Sequence, residues 1–270
     1  MAENDLPDVS DLHDLAVSLA EGAGEVVRAG RSAQLSVTAK STATDLVTEV
    51  DRASERWLVA ELARRRPDDA ILGEEGGERA GTSGVRWVLD PIDGTVNFVL
   101  GLPQYSVSVA AEVDGDVVAG AVHNPVSGET FHAHRGGGAF LGAGRLGGPR
   151  PIPLARAVVA TGFAYDAAMR ARQGEVAARL LPRVADVRRL GSAALDLCYV
   201  AAGRVDAYFE AGLNPWDRAA GGLVASEAGC LASGLRGRPA DGALYAVAGP
   251  ELAPEFFALL EELGADRVSS

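Results

Sequence analysis

Apolar side chains recur every three or four residues between positions 11 and 30, the spacing of one face of an α-helix. Ser10 precedes this segment and is the expected N-terminal cap. A second helix is expected over about residues 49–65, where Thr48 and Asp51 have the spacing of a capping box. The pattern therefore predicts two helices near the start of the chain.

Two short apolar runs are each followed by acidic residues. Residues 70–72 predict a strand that ends beside Glu74. Residues 87–89 predict the end of a buried strand that leads into Asp90 and Asp93. Taken alone, the glutamate is better interpreted as part of a solvated loop, and Asp-Gly is a common turn pair. We favour a metal site, because an apolar strand does not normally end in two nearby anions that lack a partner.

Gly94 and Thr95 follow these aspartates and are expected to open a short helix. Carboxylates attract a hard cation, and the free N–H groups of a helix N-terminus attract phosphate. A single turn that offers both is suited to metal-assisted phosphate chemistry.

Residues 105–141 alternate with period two and predict an antiparallel meander, with turns at Asp114-Gly115 and Ser127-Gly128. His132 and His134 are expected on one face of a strand in this meander. We considered them as a metal-binding pair. We favour a structural or exposed role, because no third ligand lies near them in the sequence and the other candidate ligands are all oxygens.

Glycines at positions 142, 144 and 147 have the spacing of a dinucleotide-binding fingerprint. That fingerprint must open a helix, yet prolines follow at once in residues 149–153. We interpret the glycines as an exposed loop and the prolines as a domain boundary. The expected parts are residues 1–150, with most of the metal ligands, and residues 151–270, with Asp217 and the substrate side.

The second half alternates between strands and helices. The expected strands are 158–160, 186–190, 205–209 and 243–248, and the expected helices are about 168–181, 191–202, one that follows Trp216-Asp217, and 250–263.

The net charge of −12 argues against a general nucleic-acid-binding protein, which needs a basic face, and it favours the recruitment of cations. No apolar run approaches the roughly 20 residues of a membrane span, and the first residues lack the basic and apolar regions of a secretory signal. Cys198 and Cys230 are isolated and are expected to be reduced thiols. These features predict a cytoplasmic protein.

The oxygen ligands expected at the ends of elements are Glu74, Asp90, Asp93, Asp217 and the backbone carbonyl of Ile92. Four carboxylates in one cleft repel each other unless divalent cations neutralise them. No group of cysteines or histidines competes, so the expected ion is hard, and Mg²⁺ is the natural choice. Two such ions at roughly 3.5–4 Å activate a water molecule and stabilise a leaving oxygen, which indicates hydrolysis of a phosphate ester.

Several motifs of the chain resemble the signatures of the inositol monophosphatase family, in the right order and with plausible spacings. They are Gly73-Glu74-Glu75, Asp90-Pro-Ile-Asp-Gly-Thr-Val-Asn-Phe98, Trp216-Asp-Arg-Ala-Ala-Gly221, Asp45-Leu-Val-Thr48 with Asp51, and Gly191-Ser-Ala-Ala194. The resemblance implies an α+β fold, a layered αβαβα sandwich. It also implies a lithium-sensitive phosphatase that uses two or three Mg²⁺ ions and is commonly a homodimer.

The resemblance also implies a role for each matching ligand. Glu74, Asp90 and the Ile92 carbonyl are expected to hold the first Mg²⁺. Asp90, Asp93 and Asp217 are expected to hold the second, so that Asp90 bridges the pair.

The remaining roles concern water and substrate. The Thr95 hydroxyl, paired with Asp51, is expected to orient the attacking water together with Glu74, although a plain helix-cap role for Asp51 is an equal alternative on sequence alone. The expected substrate contacts are the N–H groups of Gly94 and Thr95, the carboxylate of Asp93, the Ser192-Ala193 turn, Glu210, and Lys40 on a loop over the site. From the residues alone, Glu210 is an ordinary exposed loop acid.

The expected reaction is hydrolysis of inositol monophosphate, and histidinol phosphate is the main alternative, because an acidic residue also suits its ammonium group. Fructose 1,6-bisphosphate and nucleotide 3′-phosphates are less favoured, since a second phosphate needs basic residues and the sequence offers none around Glu210. An alternative of another class is a regulatory adaptor that binds transcription machinery. A complete acidic set argues against an adaptor role alone.

Overall fold

The computed structural model describes residues 8–31, 37–39 and 46–268. Seven α-helices lie in these ranges: α1 (Val9–Gly30), α2 (Glu49–Arg65), α3 (Thr95–Leu100), α4 (Ala167–Leu180), α5 (Ala193–Ala201), α6 (Pro215–Glu227) and α7 (Ala253–Leu263).

Fifteen strands lie in the same ranges. They are β1 (Val37–Ala39), β2 (Leu46–Thr48), β3 (Ala70–Gly73), β4 (Gly77–Arg79), β5 (Val85–Asp93), β6 (Ser106–Val113), β7 (Asp116–Asn124), β8 (Glu129–His134), β9 (Gly138–Leu141), β10 (Gly144–Arg145), β11 (Val158–Thr161), β12 (Asp186–Arg188), β13 (Ala207–Glu210), β14 (Leu231–Ser233) and β15 (Tyr245–Ala248).

Two large sheets organise the chain. The larger has eight strands in the order β10-β9-β8-β7-β6-β5-β3-β4, and β3 and β5 are its parallel pair. The smaller has five strands in the order β12-β11-β13-β15-β14, in which β11 is parallel to both of its neighbours. A short antiparallel pair, β1 and β2, stands apart from both sheets.

Alternation along β5 shows how the layers form. Trp87 and Leu89 are buried in a cluster with apolar residues of α1 and α2 on one face of the larger sheet. Val88 points to the other face and is buried with α5, α6 and one face of the smaller sheet. The far face of the smaller sheet is covered by α4 and α7. The order is therefore α, β, α, β, α, as the resemblance implies.

The capping chemistry of the first two helices is local in the sequence. The Thr48 hydroxyl accepts from the Asp51 amide, and the Thr48 amide donates to the Asp51 carboxylate at 2.9 Å, so the predicted capping box of α2 is confirmed. The predicted cap of α1 is wrong by two residues. Asp8 is the cap and accepts from the Ser10 amide at 2.9 Å, because a carboxylate serves this position as well as a hydroxyl.

Most of the predicted elements are confirmed, including the antiparallel meander, but the segment after it differs from the prediction. Residues 142–147 are not a plain loop, because β10 pairs with β9 across a tight turn. They open no helix, so the dinucleotide-binding interpretation stays rejected. The short strands β4 and β14 are not predicted, since their three residues are largely polar or exposed.

The strands divide on either side of residues 149–153, since the larger sheet precedes this segment and the smaller sheet follows it. The hydrophobic interior does not divide in the same way. Helices α5 and α6 come from the second half, yet they are buried in one cluster with Val88, Ala110 and Val122 of the larger sheet. The division into residues 1–150 and 151–270 stays a prediction. No helix in the described ranges has the length and apolar character needed to cross a bilayer.

Leu58 of α2 is fully buried in the cluster beneath the larger sheet. We expect Leu58→Ala to lower the free energy of unfolding by about 2–5 kcal/mol, because truncation loses apolar burial and leaves a cavity. Chemical denaturation followed by circular dichroism measures this change. The matched control is Val126→Ala, at a side chain that is 51% exposed, where we expect a change within about 0.5 kcal/mol. Equal effects of the two substitutions would contradict this packing.

Candidate active site

Two acidic residues meet because β3 and β5 run parallel and end together. Gly73 pairs with Leu89, and the Glu74 amide donates to the Leu89 carbonyl at 3.2 Å. Glu74 and Asp90 are the next residues after this pair, so they lie side by side at the ends of the two strands. Ligand sites commonly form at the carboxyl ends of parallel strands.

An irregularity in β5 places two aspartates on one face of the sheet. Asp90 pairs with Ser108 and Asp93 with Ser106, so three steps along β5 match two steps along β6. In a regular strand, residues three apart point to opposite faces. The extra residue of the bulge restores the same side for both carboxylates. The predicted strand end at residue 89 is thus too early, since β5 continues through Asp93.

The third aspartate of the cluster, Asp217, comes from the first turn of α6. Asn214 caps this helix, and its backbone N–H donates to the Asp217 carboxylate at 2.6 Å. The Ser108 hydroxyl donates to the Trp216 carbonyl at 3.2 Å and ties the start of α6 to the larger sheet. One carboxylate oxygen from each of Asp90, Asp93 and Asp217 then lies within 4.8 Å of the others.

Burial and mutual repulsion dominate the electrostatics of this cluster. Burial, and then the charges of Glu74 and Asp93, hold the pKa of Asp90 well above its usual range. Burial likewise raises the pKa of Asp217 well above the usual range. Burial raises the pKa of Asp93 to about 6, although hydrogen bonds from Ser192 and from backbone amides oppose the shift. The ionised cluster therefore needs a cation.

The donor set fits a hard divalent cation. Its members are carboxylates, and no nitrogen or sulfur ligand belongs to the described group. The Ile92 carbonyl oxygen faces the same turn and lies 3.1 Å from the Thr95 hydroxyl oxygen. Oxygen-only sites of this kind suit Mg²⁺, Ca²⁺ or Mn²⁺.

Asp51 connects the start of α2 to the start of α3. It is fully buried, and it accepts from the Thr48 amide and from the Thr95 hydroxyl at 3.0 Å. Burial raises the pKa of Asp51, while its bonds to Thr48 and Thr95 oppose the shift. Asp51 therefore does more than cap a helix, since it holds a hydroxyl beside the acidic cluster.

Gly94 makes the sharp turn between the aspartates and α3. Its φ is +94°, and an added Cβ would lie 2.9 Å from the Gly191 carbonyl oxygen and 3.0 Å from that of Gln104. A residue with a side chain is disfavoured here, because the backbone is left-handed and because the two carbonyl oxygens leave no room for a Cβ atom. The turn brings the first N–H groups of α3, which have no partner within the helix, to the wall that carries Asp90 and Asp93.

The start of α5 is directed at a metal-ligand candidate. The Ser192 hydroxyl donates to Asp93 at 2.5 Å, and the amides of Ala193 and Ala194 donate to the same carboxylate at 3.3 and 2.8 Å. Ser192 is 1% exposed, whereas Ala193 lies on the wall of the cavity described next. In this arrangement Ser192 orients Asp93.

A cavity of about 340 Å³ opens from the acidic cluster towards the smaller sheet. Glu210, at the end of β13, lines it and is partly buried rather than exposed, and its carboxylate accepts from the Tyr208 hydroxyl at 2.7 Å. Burial raises the pKa of Glu210 to about 7. The cavity therefore has one end lined by the acidic cluster and a second end that is also polar.

Comparison with known proteins places this geometry in a family. The model of the inositol monophosphatase family matches residues 8–265. The chain belongs to the inositol monophosphatase family.

Individual relatives agree over nearly the whole chain. An inositol-1-monophosphatase of Mycobacterium leprae is 47% identical over 94% of each chain. A solved structure of Mycobacterium tuberculosis SuhB is 40% identical, with a TM-score of 0.81 over 96% of this chain and 98% of that one. A Nus factor SuhB of Pasteurella multocida is 44% identical over 83% of this chain and 85% of the relative. The predicted phosphatase family and the layered fold are confirmed.

In this member of the inositol monophosphatase family, two residues that line the cavity are not predicted from the sequence. Asp196 on α5 lines the cavity, is 1% exposed, and has one carboxylate oxygen that is buried without a hydrogen-bond partner. Its signal in the sequence is that it is the one charged residue among the nine of α5. Arg189 lines the same cavity. The expectation that no basic residue lies near Glu210 is therefore wrong. Arg189 follows β12 and Glu210 ends β13, and these two strands are brought to the same part of the sheet because both pair with β11.

The remaining predicted contact is Lys40, which lies outside the described residues.

The raised pKa of Glu210 gives a pH-dependent prediction for the metal-free protein. The unfolded carboxyl ionises near 4.5, whereas the folded one keeps its proton until about pH 7. The wild type therefore loses stability relative to Glu210→Gln as the pH rises through this window. We expect the glutamine variant to gain roughly 1–3 kcal/mol over wild type between pH 4.5 and 8, measured by denaturation in EDTA. The control is Glu251→Gln, at a residue in an exposed turn. A pH-independent difference at position 210 would refute the prediction.

Proposed function

We propose that this protein is a Mg²⁺-dependent phosphomonoesterase that hydrolyses inositol monophosphate to inositol and phosphate. The observation that carries the proposal is the meeting of Asp90, Asp93 and Asp217 within 4.8 Å, beside a hydroxyl held by a buried carboxylate and at the end of a polar cavity. The names of relatives support the substrate class.

The acidic cluster is the proposed metal centre. Glu74, Asp90 and the Ile92 carbonyl would hold one ion, and Asp90, Asp93 and Asp217 a second, with Asp90 shared. When bound, such ions act as Lewis acids, lower the pKa of water and neutralise charge on phosphate oxygens. Two ions are the proposed minimum, and a third is compatible with the charge of the cluster.

The chain itself positions the attacking water. The Thr95 hydroxyl donates a hydrogen bond to Asp51. The Thr95 oxygen is therefore free to accept a hydrogen bond from water. Glu74 is the proposed base that receives the proton, because its charge acts directly on Asp90 at the same end of the cavity. Asp51 acts by fixing the direction of the hydroxyl.

Phosphate binding is assigned to the turn at the start of α3. The N–H groups of Gly94 and Thr95 are the proposed donors to phosphate oxygens. Lys40 is proposed, on the family resemblance alone, to contribute a positive charge from a loop over the site.

The alcohol portion of the substrate is assigned to the second end of the cavity. Glu210 and Asp196 line this end with their carboxyl groups, and a cyclitol ring offers adjacent hydroxyl donors. Ala193 and the carboxylate of Asp93 complete this wall, where Ser192 acts through Asp93.

Bisphosphate substrates are disfavoured by charge. Arg189 is a cationic wall residue among the carboxylates of the cavity, and the acids Asp196 and Glu210 share its end. A second phosphate would meet more negative than positive charge there. Histidinol phosphate remains the alternative substrate, because its ammonium group would complement the same acids.

A second function is favoured by one observation, the relatives named Nus factor SuhB that are 41–44% identical to this chain. An adaptor that binds transcription machinery does not require the buried carboxylate set. A phosphate-release assay with and without Mg²⁺ separates the two functions.

A homodimer is proposed on the family resemblance.

We expect Asp90→Asn to reduce the turnover of inositol 1-phosphate more than 10-fold, because the shared ligand position serves both ions. Phosphate release at saturating Mg²⁺ measures this loss, and a loss below about 1.4 kcal/mol in activation free energy would contradict the bridging role. Unfolding in EDTA provides the folding control. The variant should be at least as stable as wild type there, since an anion leaves a crowded site.

Selectivity for the alcohol portion is expected to depend on Glu210. Glu210→Gln should lower kcat/KM for inositol 1-phosphate by about 10- to 150-fold at pH 8, which corresponds to the loss of charge-assisted hydrogen bonds of roughly 1.5–3 kcal/mol. The value for p-nitrophenyl phosphate should barely change, because that ester has no hydroxyls to bind. Asp196→Asn is the matched variant and should show the same split.

A substrate panel that includes histidinol phosphate completes this experiment. Better wild-type turnover of histidinol phosphate, with an equal or larger drop in Glu210→Gln, would favour the alternative substrate. An equal fall for every ester would place Glu210 in the catalytic machinery instead.

A further inference from the structure

The buried face of α2 carries polar residues that contact the turns of the acidic cluster. Asp51 holds the Thr95 hydroxyl. One helical turn further on, the Ser54 hydroxyl donates to the Pro91 carbonyl at 3.2 Å, within the bulge of β5. Glu55 follows, and it is 5% exposed. Ser54 and Glu55 lie three and four residues after Asp51, so the three side chains share one face of the helix.

Glu55 contacts the turn between β3 and β4, which begins with Glu74. The Glu75 backbone N–H donates to Oε2 of Glu55 at 2.8 Å. The Glu74 backbone N–H donates to the Leu89 carbonyl at 3.2 Å. The two peptide groups that flank the Cα atom of Glu74 are therefore both held, one by β5 and the other by Glu55. Together these bonds set the direction in which the Glu74 side chain leaves the backbone.

Two glycines of this segment make room for the Glu55 carboxylate. An added Cβ at Gly73 would lie 2.7 Å from Oε2 of Glu55, and one at Gly76 would lie 2.6 Å from Oε1. Neither glycine has a positive φ, so the lack of a side chain is required by space and not by backbone conformation. The close approach of one carboxylate thus accounts for the glycines on both sides of Glu74.

Glu55 contacts the turn from outside the cavity of the acidic cluster. Of the described residues, Glu74, Asp90 and Asp93 line that cavity, whereas Glu55 lines a separate groove with Val59. Burying a carboxylate is costly unless it makes hydrogen bonds. The bond that Glu55 makes holds the residue next to a proposed metal ligand, and outer hydrogen bonds of this kind orient ligands in metal sites.

We propose that Glu55 is a positioning residue for the metal centre assigned above, and that it directs Glu74 by accepting the Glu75 N–H. The inference rests on the proposed function, because Glu74 is the carboxylate assigned there to the first ion and to the attacking water. Glu55 acts as a hydrogen-bond acceptor, so its negative charge is not required. Without this acceptor the turn is free to move, and the first ion is held less tightly.

The test measures metal binding directly, through the electron paramagnetic resonance signal of free Mn²⁺, which disappears when the ion binds. We expect Glu55→Ala to weaken the binding of one Mn²⁺ ion by roughly 10- to 100-fold, as for an outer hydrogen-bond partner. Glu55→Gln should stay close to wild type, because its amide oxygen still accepts the Glu75 N–H. The control is Glu61→Ala, which removes an acid of the same helix that is paired with Arg64, and it should leave binding unchanged.

Gly76→Ala tests the same contact without removing the carboxylate. Among the described groups, only the Glu55 carboxylate lies within 4 Å of the added Cβ, and it stands at the end of a side chain that can turn aside. The variant should therefore lose Mn²⁺ affinity, as Glu55→Ala does, with little loss of stability. In the Glu55→Ala background the same change should have no further effect, because the effects of residues in contact are not additive.

Circular dichroism and denaturation in EDTA check that each variant is folded. The proposal is overturned if folded Glu55→Ala binds Mn²⁺ as wild type does, or if Glu55→Gln loses as much affinity as Glu55→Ala. It is also overturned if Gly76→Ala weakens binding equally in both backgrounds. If the binding differences appear but wild type releases phosphate from no ester, the proposed function alone is contradicted. A wild type that binds no Mn²⁺ would contradict both, because there would be no ion to position.

Discussion

Mutual repulsion among buried carboxylates is the constraint on which the rest of this structure depends. Burial raises the pKa of Asp90, Asp93 and Asp217, and neighbouring carboxylates raise the pKa of Asp90 and Asp217 further. Local structure offsets part of this repulsion: the start of α5 donates to Asp93 and the capped start of α6 donates to Asp217. The remainder is relieved by protonation or by a bound cation, so the architecture favours a positively charged ligand at this position.

The sequence predicted most of the helices and strands because their signals are local, whereas the layered order was implied by the family resemblance. Periodicity, the capping box at Thr48 and Asp51, and turn residues each act within a few positions, and most of the elements expected from them are confirmed. The acidic residues at strand ends were recognised in the same way. The short strands β4 and β14 were not predicted, because their pairing with a neighbouring strand, rather than their composition, defines them.

What the sequence did not predict depends on contacts between distant segments. The bulge in β5 is visible only in its register with β6. The approach of Arg189 to Glu210 follows from strand order, and the buried oxygen of Asp196 follows from the packing of α5. The partnership of His13 with His132 spans 119 positions. A resemblance assigned roles to matching positions, but it could not show that Ser192 is turned towards Asp93.

Asp217 is the one member of the carboxylate trio that lies beyond residue 150. During synthesis, the carboxylates of β5 exist for more than 120 residues before the first turn of α6 leaves the ribosome. Until then the larger sheet lacks the helix that covers Val88 and Ala110, and the acidic turn lacks its third wall. Capture of the proposed ions would thus be coupled to the docking of the last layers, and tight metal binding would report that the chain has finished folding.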